Sequence, residues 1–367
     1  MDTLIVGEAS PERRRAAIRA ADRGGCSAIV VRTVAEARHS LEDHAPQAIF
    51  IDHQQDIASF VAWVRGQAHL FTVPVIVTVP AADETRFHIA HCAGADDAIV
   101  NTDLGAITRR LANLSEFDPA RRPEVTQGEC LIASANEGRR RVLGRIARQA
   151  GFDVVFALDV DELEARASKV ALIVAESDLS TERPDKEFAW VREKENVPAI
   201  ILAPEVDVPS LQTRLSAHRC SVGAINEPPD HLLFQANELL RPDVSNIRAS
   251  TRVLHGAICT FRPAGSLEPA FALTYNWSRE GLYVRTLDPP SRGQDLWLEV
   301  RLPFRREAAH LRGKVVWATG PHRPGGTTPP GFGLKIQAAD SPPGDLAQYR
   351  LAYEELVAGS AQLLQVA

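Results

Sequence analysis

The sequence lacks a membrane span: no apolar run in its 367 residues approaches the roughly 18 that crossing a bilayer requires. The opening Met-Asp-Thr-Leu-Ile-Val-Gly-Glu has no basic region ahead of a long apolar stretch, so no secretion signal is expected and a soluble cytoplasmic protein is. Cysteine is sparse and unpaired in pattern. The five (Cys26, Cys92, Cys130, Cys220, Cys259) include no CxxC, which argues against a zinc site or a disulfide framework and for small core residues. No nucleophile-and-base pair stands out, so an enzyme is not expected. Gly325-Gly326 has no following Lys-Ser/Thr, as a phosphate-cradling loop would. His88 and His91 lie three apart with no carboxylate or third ligand at metal spacing, and a surface position is expected for both.

What is present is ordinary globular composition, 45% hydrophobic and 24% charged, with an uneven charge. Residues 241–367 hold 15 Lys+Arg against 11 Asp+Glu, a net +4 within a chain of −6. That balance suits a small anionic ligand better than a nucleic acid, which asks for a clustered basic stripe.

Residues 1–240 contain an internal repeat with a period of about 125 residues. Leu4-Ile5-Val6, a helix bearing Arg13-Arg14-Arg15, Gly25 and Ala28-Ile29-Val30-Val31 return as Leu131-Ile132-Ala133, Arg139-Arg140-Arg141, Gly151 and Val154-Val155-Phe156. A helix around Glu36 or Glu162 follows, then Ala48–Ile51 or Ala171–Val174, then Val73–Val77 or Val197–Ile201. Short apolar runs alternating with amphipathic helices predict parallel sheets covered on both faces. Ser115 to Gly128 reads as a linker, and a shorter join lies near Arg241-Pro242-Asp243. From Arg248 the texture changes to alternating runs punctuated by turns: Arg252–Phe261, Ala270–Tyr275, Gly281–Thr286, Asp295–Pro303, Gly313–Trp317 and Gly331–Ile336. These predict a small antiparallel barrel, followed by a helix over Asp345–Leu364.

The strand and helix order of residues 1–117 and 128–240, together with Ala93-Gly94-Ala95-Asp96-Asp97, resembles the receiver domain of response regulators. The resemblance implies a doubly wound, flavodoxin-like α/β fold for each. It also implies paired acids for magnesium, a phosphoacceptor aspartate, a hydroxyl and a lysine, because phosphoryl transfer needs all of them. In the first unit these positions fall on Gly7 and Glu8, Asp52, Val79 and Asn101. In the second they fall on Ser134 and Ala135, Glu176 (or Ala175), Ala203 and Glu227. Both therefore read as degenerate receivers that bind other protein surfaces, a homodimer being compatible, with Asp52 the one remaining possible phosphoacceptor.

Residues 241–367 carry Arg248-Ala249-Ser250-Thr251-Arg252, an RxxxR pattern, and then Asn276-Trp277-Ser278-Arg279-Glu280-Gly281, which fits [DN]xSxxG. In this order before a barrel, the pair resembles the PilZ domain, which implies cyclic di-GMP as ligand. Arginine can fork onto phosphate, stack on guanine or bond its O6/N7 edge. Arg248 and Arg252 are thus expected at phosphate and guanine, Asn276 at a guanine edge, Ser278 at phosphate or holding the turn. Gly281 is expected where backbone approaches the ligand or adopts positive φ. Ile247 adds no further cation, which favours one ligand per site. The expectation is a cyclic di-GMP-binding signalling adaptor; the competing readings are a ligand-independent scaffold and a response regulator phosphorylated at Asp52.

Overall fold

In residues 1–114 five apolar runs become parallel strands: β1 (Asp2–Val6), β2 (Ser27–Val31), β3 (Ala48–Asp52), β4 (Val75–Val79) and β5 (Asp97–Val100). A computed structural model describes the chain except residues 8–9, 116, 118–125, 181–187, 189–190, 192–196, 242–249, 267, 306, 322–327 and 366–367. Sheet order is β2-β1-β3-β4-β5, the flavodoxin-like winding. Helices α1 (Pro11–Arg23), α2 (Val34–Ser40), α3 (Ile57–Gly66), α4 (Glu84–Cys92) and α5 (Leu104–Leu114) alternate with the strands. Each starts where a side-chain oxygen of Ser10, Thr33, Asp56, Asp83 or Asp103 accepts a first-turn backbone N–H.

The repeat gives a second sheet of the same winding, β7-β6-β8-β9-β10, from β6 (Glu129–Ala133), β7 (Asp153–Ala157), β8 (Leu172–Glu176), β9 (Ala199–Ala203) and β10 (Cys220–Ala224). Its helices include α6 (Glu137–Gln149), α7 (Val160–Arg166), α8 (Val208–Leu215) and α9 (His231–Leu240).

The C-terminal strands are β11 (Val253–Leu254), β12 (Ile258–Pro263), β13 (Ala270–Ser278), β14 (Gly281–Arg285), β15 (Asp295–Arg301), β16 (Ala308–Thr319) and β17 (Gly331–Ile336). Antiparallel pairing runs β13-β12-β15-β16-β17-β14 and back to β13, closing a six-stranded barrel, with β11 added on β13. Closure leaves no edge within the ring. Three strands depart from the alternation reading: β13 runs on past Tyr275 through Ser278. The first run breaks at His255–Ala257, and β16 begins at Ala308, ahead of Gly313. Helix α10 (Pro343–Gln365) sets Leu346, Tyr349, Ala352, Tyr353 and Leu356 into the barrel core beside Trp277. No helix among the described residues is long and apolar enough to cross a membrane.

Contacts divide the chain differently from sequence order. One unit is Met1–Ala120 with Ser250–Arg323 and Pro330–Ala358; the other is mainly Arg121–Ala249. Within the first unit, β13 packs against α4 and β5, and the turn after β14 enters the first α/β domain. Leu287 is buried in that domain's core with Ile5, Phe50 and Ile107. The Leu287 backbone N–H donates to Asp97 Oδ2 at 2.9 Å, and Arg110 Nε donates to the same carboxylate at 3.0 Å. Arg110 also donates to Thr286 Oγ1 (3.1 Å), and Asn113 to Asp288 Oδ1 (2.9 Å). On the other flank, the Ile258 N–H donates to Glu84 at 3.1 Å. The α4-β5-α5 face of the first domain is thus occupied by the barrel of the same chain.

Candidate ligand-binding site

The strand that follows the first motif pairs with the strand that carries the second. Strand β11 sets Val253 opposite Trp277 and Leu254 opposite Asn276. Arg252, one residue before β11, therefore flanks the end of β13 where Ser278 stands. Arg248 lies outside the described residues. Asn276 is 4% exposed, and Ser278 and Gly281 close the two-residue hairpin between β13 and β14 as a directly opposed pair.

Ser278 takes one of the two roles read from sequence, and Gly281 does not take the positive-φ one. The Ser278 hydroxyl donates to the Gly281 carbonyl at 2.8 Å, so in this structure it holds the turn. Gly281 is not among the positive-φ glycines, which removes that reason for glycine. A Cβ at Gly281 would stand 2.1 Å from the Leu334 carbonyl oxygen, so strand β17 requires glycine there. Trp277 is fully buried in the barrel core.

Helix α10 fastens both motif segments, a role the sequence did not disclose. The Tyr349 hydroxyl lies 2.9 Å from the carbonyl oxygens of both Ser278 and Gly281, and its ring stacks on Trp277 at 5.0 Å between centroids. Tyr353 donates to the Thr251 carbonyl at 2.9 Å. Arg279, 56% exposed at its side chain, pairs with Glu354 at 3.7 Å. Burial pushes the Tyr349 phenol well above its ordinary range, keeping it a neutral donor. His255, beside β11, meets Trp277 edge-on at 5.8 Å; burial and the neighbouring His88 lower its pKa to about 4.

At the strand ends of the first domain, Asp52 closes β3 and lies in register with Thr78 of β4. Its Oδ1 accepts from the Gln54 N–H at 2.9 Å and lies 3.4 Å from His53 Nδ1. Glu8 is outside the described residues. Asn101 is 9% exposed, its Oδ1 has no hydrogen-bond partner, and with Arg13 and Thr78 it lines a cavity of about 20 Å³, room for about one water-sized molecule.

Register settles the second domain's positions. Ala133 pairs with Ala175 as Val6 pairs with Ile51, so Glu176 takes the place of Asp52. Ala203 pairs with Ala224 as Val79 pairs with Val100, so the residue matching Asn101 is Ile225; Glu227 lies two residues further on. Glu176 is 3% exposed and accepts from both Ser134 Oγ and Arg139, each at 2.7 Å. The site is closed by its own ion pair. Unlike the surface position expected, His91 is 1% exposed, its Nδ1 3.4 Å from the Ala95 carbonyl; His88 is partly buried. All five cysteines are free, and burial pushes the Cys130 and Cys220 thiols up to about 12.

No family model and no curated protein matches the sequence. Among solved structures it is similar to the Bacillus subtilis inhibitor of motility MotI/DgrA, at 20% identity over 30% of this chain and 51% of that one, with a TM-score of 0.24. The chain thus spans about half of that protein. It is also similar to the receiver domain of the sensor histidine kinase PA1611 from Pseudomonas aeruginosa (19% identity, 30% and 97% covered, TM-score 0.27). A third is the receiver domain of a signal transduction histidine kinase from Syntrophus aciditrophicus (23% identity, 34% and 99% covered, TM-score 0.27). The flavodoxin-like winding of both α/β domains stands on their strand order and register.

Proposed function

We propose that the chain is a signalling adaptor whose barrel, of PilZ type, binds cyclic di-GMP. The observation that supports this most is the β11–β13 pairing, which sets Arg252 beside the Asn276–Gly281 hairpin. Arg252, with Arg248 four residues earlier on the same strap, supplies guanidinium forks for phosphate and guanine edges. Asn276 would offer an amide to a guanine edge, and the exposed Arg279 adds charge at the rim. Binding energy spent on the segment from Asn246 to Arg252 would couple the ligand to how the α/β domains are presented to protein partners.

Isothermal calorimetry of the full chain with cyclic di-GMP tests the reading. Binding heat is expected, lost in Arg248→Ala and Arg252→Ala while thermal unfolding stays unchanged. A folded sample giving no heat at tens of micromolar protein refutes it.

A further inference from the structure

The barrel face formed by β12, β15 and β16 carries a feature unrelated to the cyclic di-GMP reading. Alternation along β15 sends Leu296, Leu298 and Val300 into the core and leaves Trp297, Glu299 and Arg301 outside. Trp297 is 43% exposed, an indole on a regular strand that does nothing for the core. Register places Arg262 on one side of it and Arg312 on the other, in one row across three strands. The Arg312 guanidinium lies over the indole ring. In the next row Lys314 pairs with Lys335.

Five cations (Arg262, Arg301, Arg312, Lys314 and, on the adjoining β17, Lys335) thus share the face with three carboxylates. Asp295 is already engaged by Lys314 at 3.4 Å and Gln337 at 3.2 Å; Glu299 sits opposite His310, which Asp345 engages at 3.3 Å, and Arg262 also donates to the Ser266 carbonyl at 3.1 Å. Exposed tryptophan flanked by arginine is the composition of binding hot spots between proteins.

We infer that this face docks an acidic helix of a protein partner. Strands about 4.8 Å apart put the two arginine positions about 10 Å from each other across Trp297. Carboxylates at i and i+7 of a helix are separated by about 10.5 Å, leaving the i+3 or i+4 side chain against the stacked Arg312 and Trp297. Single-stranded nucleic acid fits less well. It asks for successive aromatic platforms, whereas one indole stands here.

The test is fluorescence anisotropy of a labelled helical peptide with Glu at i and i+7 and Leu at i+3, titrated with the full chain at low salt, with oligo(dT) in parallel. Saturable peptide binding is expected. Trp297→Ala should weaken it by about tenfold or more, and Arg262→Gln with Arg312→Gln at least as much. Arg23→Gln, on α1, should leave it unchanged. The uncharged tryptophan separates docking from simple charge attraction, and the double arginine variant tests the same row should Trp297→Ala misfold. No peptide binding, equal binding by all variants, or tighter binding of oligo(dT) overturns the inference.

Discussion

Replacing Arg110 with alanine probes the joint between the first domain and the barrel. Arg110 and Asp97 are 2% and 1% exposed at their side chains, and Asp97 also accepts from the Leu287 backbone N–H. Removing one partner of such a pair leaves the other charge buried alone, a loss of about 3–5 kcal/mol. Burial pushes the Asp97 carboxyl above its ordinary pKa and Arg110 pulls it back, the net direction being up. A carboxyl raised in the fold binds its proton more tightly folded than unfolded, so its ionisation costs stability as pH rises through the folded pKa. Without Arg110 that cost grows. The deficit of Arg110→Ala should therefore be largest near neutral pH and shrink on acidification toward pH ~4. Urea denaturation followed by tryptophan emission reads mainly this unit, since Trp63, Trp277, Trp297 and Trp317 belong to it and Trp190 alone of the five lies in the other. A deficit below about 1 kcal/mol at neutral pH, or one that widens in acid, refutes the reasoning.

His255 acts with the opposite sign. Its pKa is lowered to about 4, so stability is lost as pH falls from about 6.5 through that value, by at most about 3 kcal/mol. His255→Gln should flatten that limb of a stability-against-pH curve. Gly281→Ala forces β17 away from a Cβ placed 2.1 Å from a carbonyl oxygen, and should cost about 1–3 kcal/mol in thermal or chemical unfolding with no ligand present. Glu176→Gln breaks the Arg139 pair and should lower the unfolding free energy of the second domain, read by circular dichroism in urea, by about 1–3 kcal/mol.

The two parallel sheets were legible because their strands, covered on both faces, are continuous apolar runs, and a repeat doubled the signal. The barrel was legible from alternation, except where His255–Ala257 interrupts it, where β13 runs on past Tyr275 and where β16 starts early. The docking of the barrel onto the first domain was not read, although a trace of it exists. Arg110 lies in the buried stripe of α5, among Ala106, Ile107, Leu111 and Leu114, where a charge needs a buried partner. Thr286 and Leu287 carry no comparable mark. The motif residues were found by pattern, but pattern could not separate Gly281's packing constraint from a ligand role, because both ask for a missing side chain. The hydroxyls of Tyr349 and Tyr353 bond backbone carbonyls, which sequence does not mark.

The Arg110–Thr286 bond joins residues 176 apart in the chain, and everything between them must be made before it can form. At roughly 5–20 residues per second, the first domain waits on the order of ten to thirty-five seconds on the ribosome with its docking face uncovered. During that interval Asp97 and Arg110 have each other and water but no barrel turn to close over them. Synthesis of the second α/β domain therefore sets the delay before the first one can be completed.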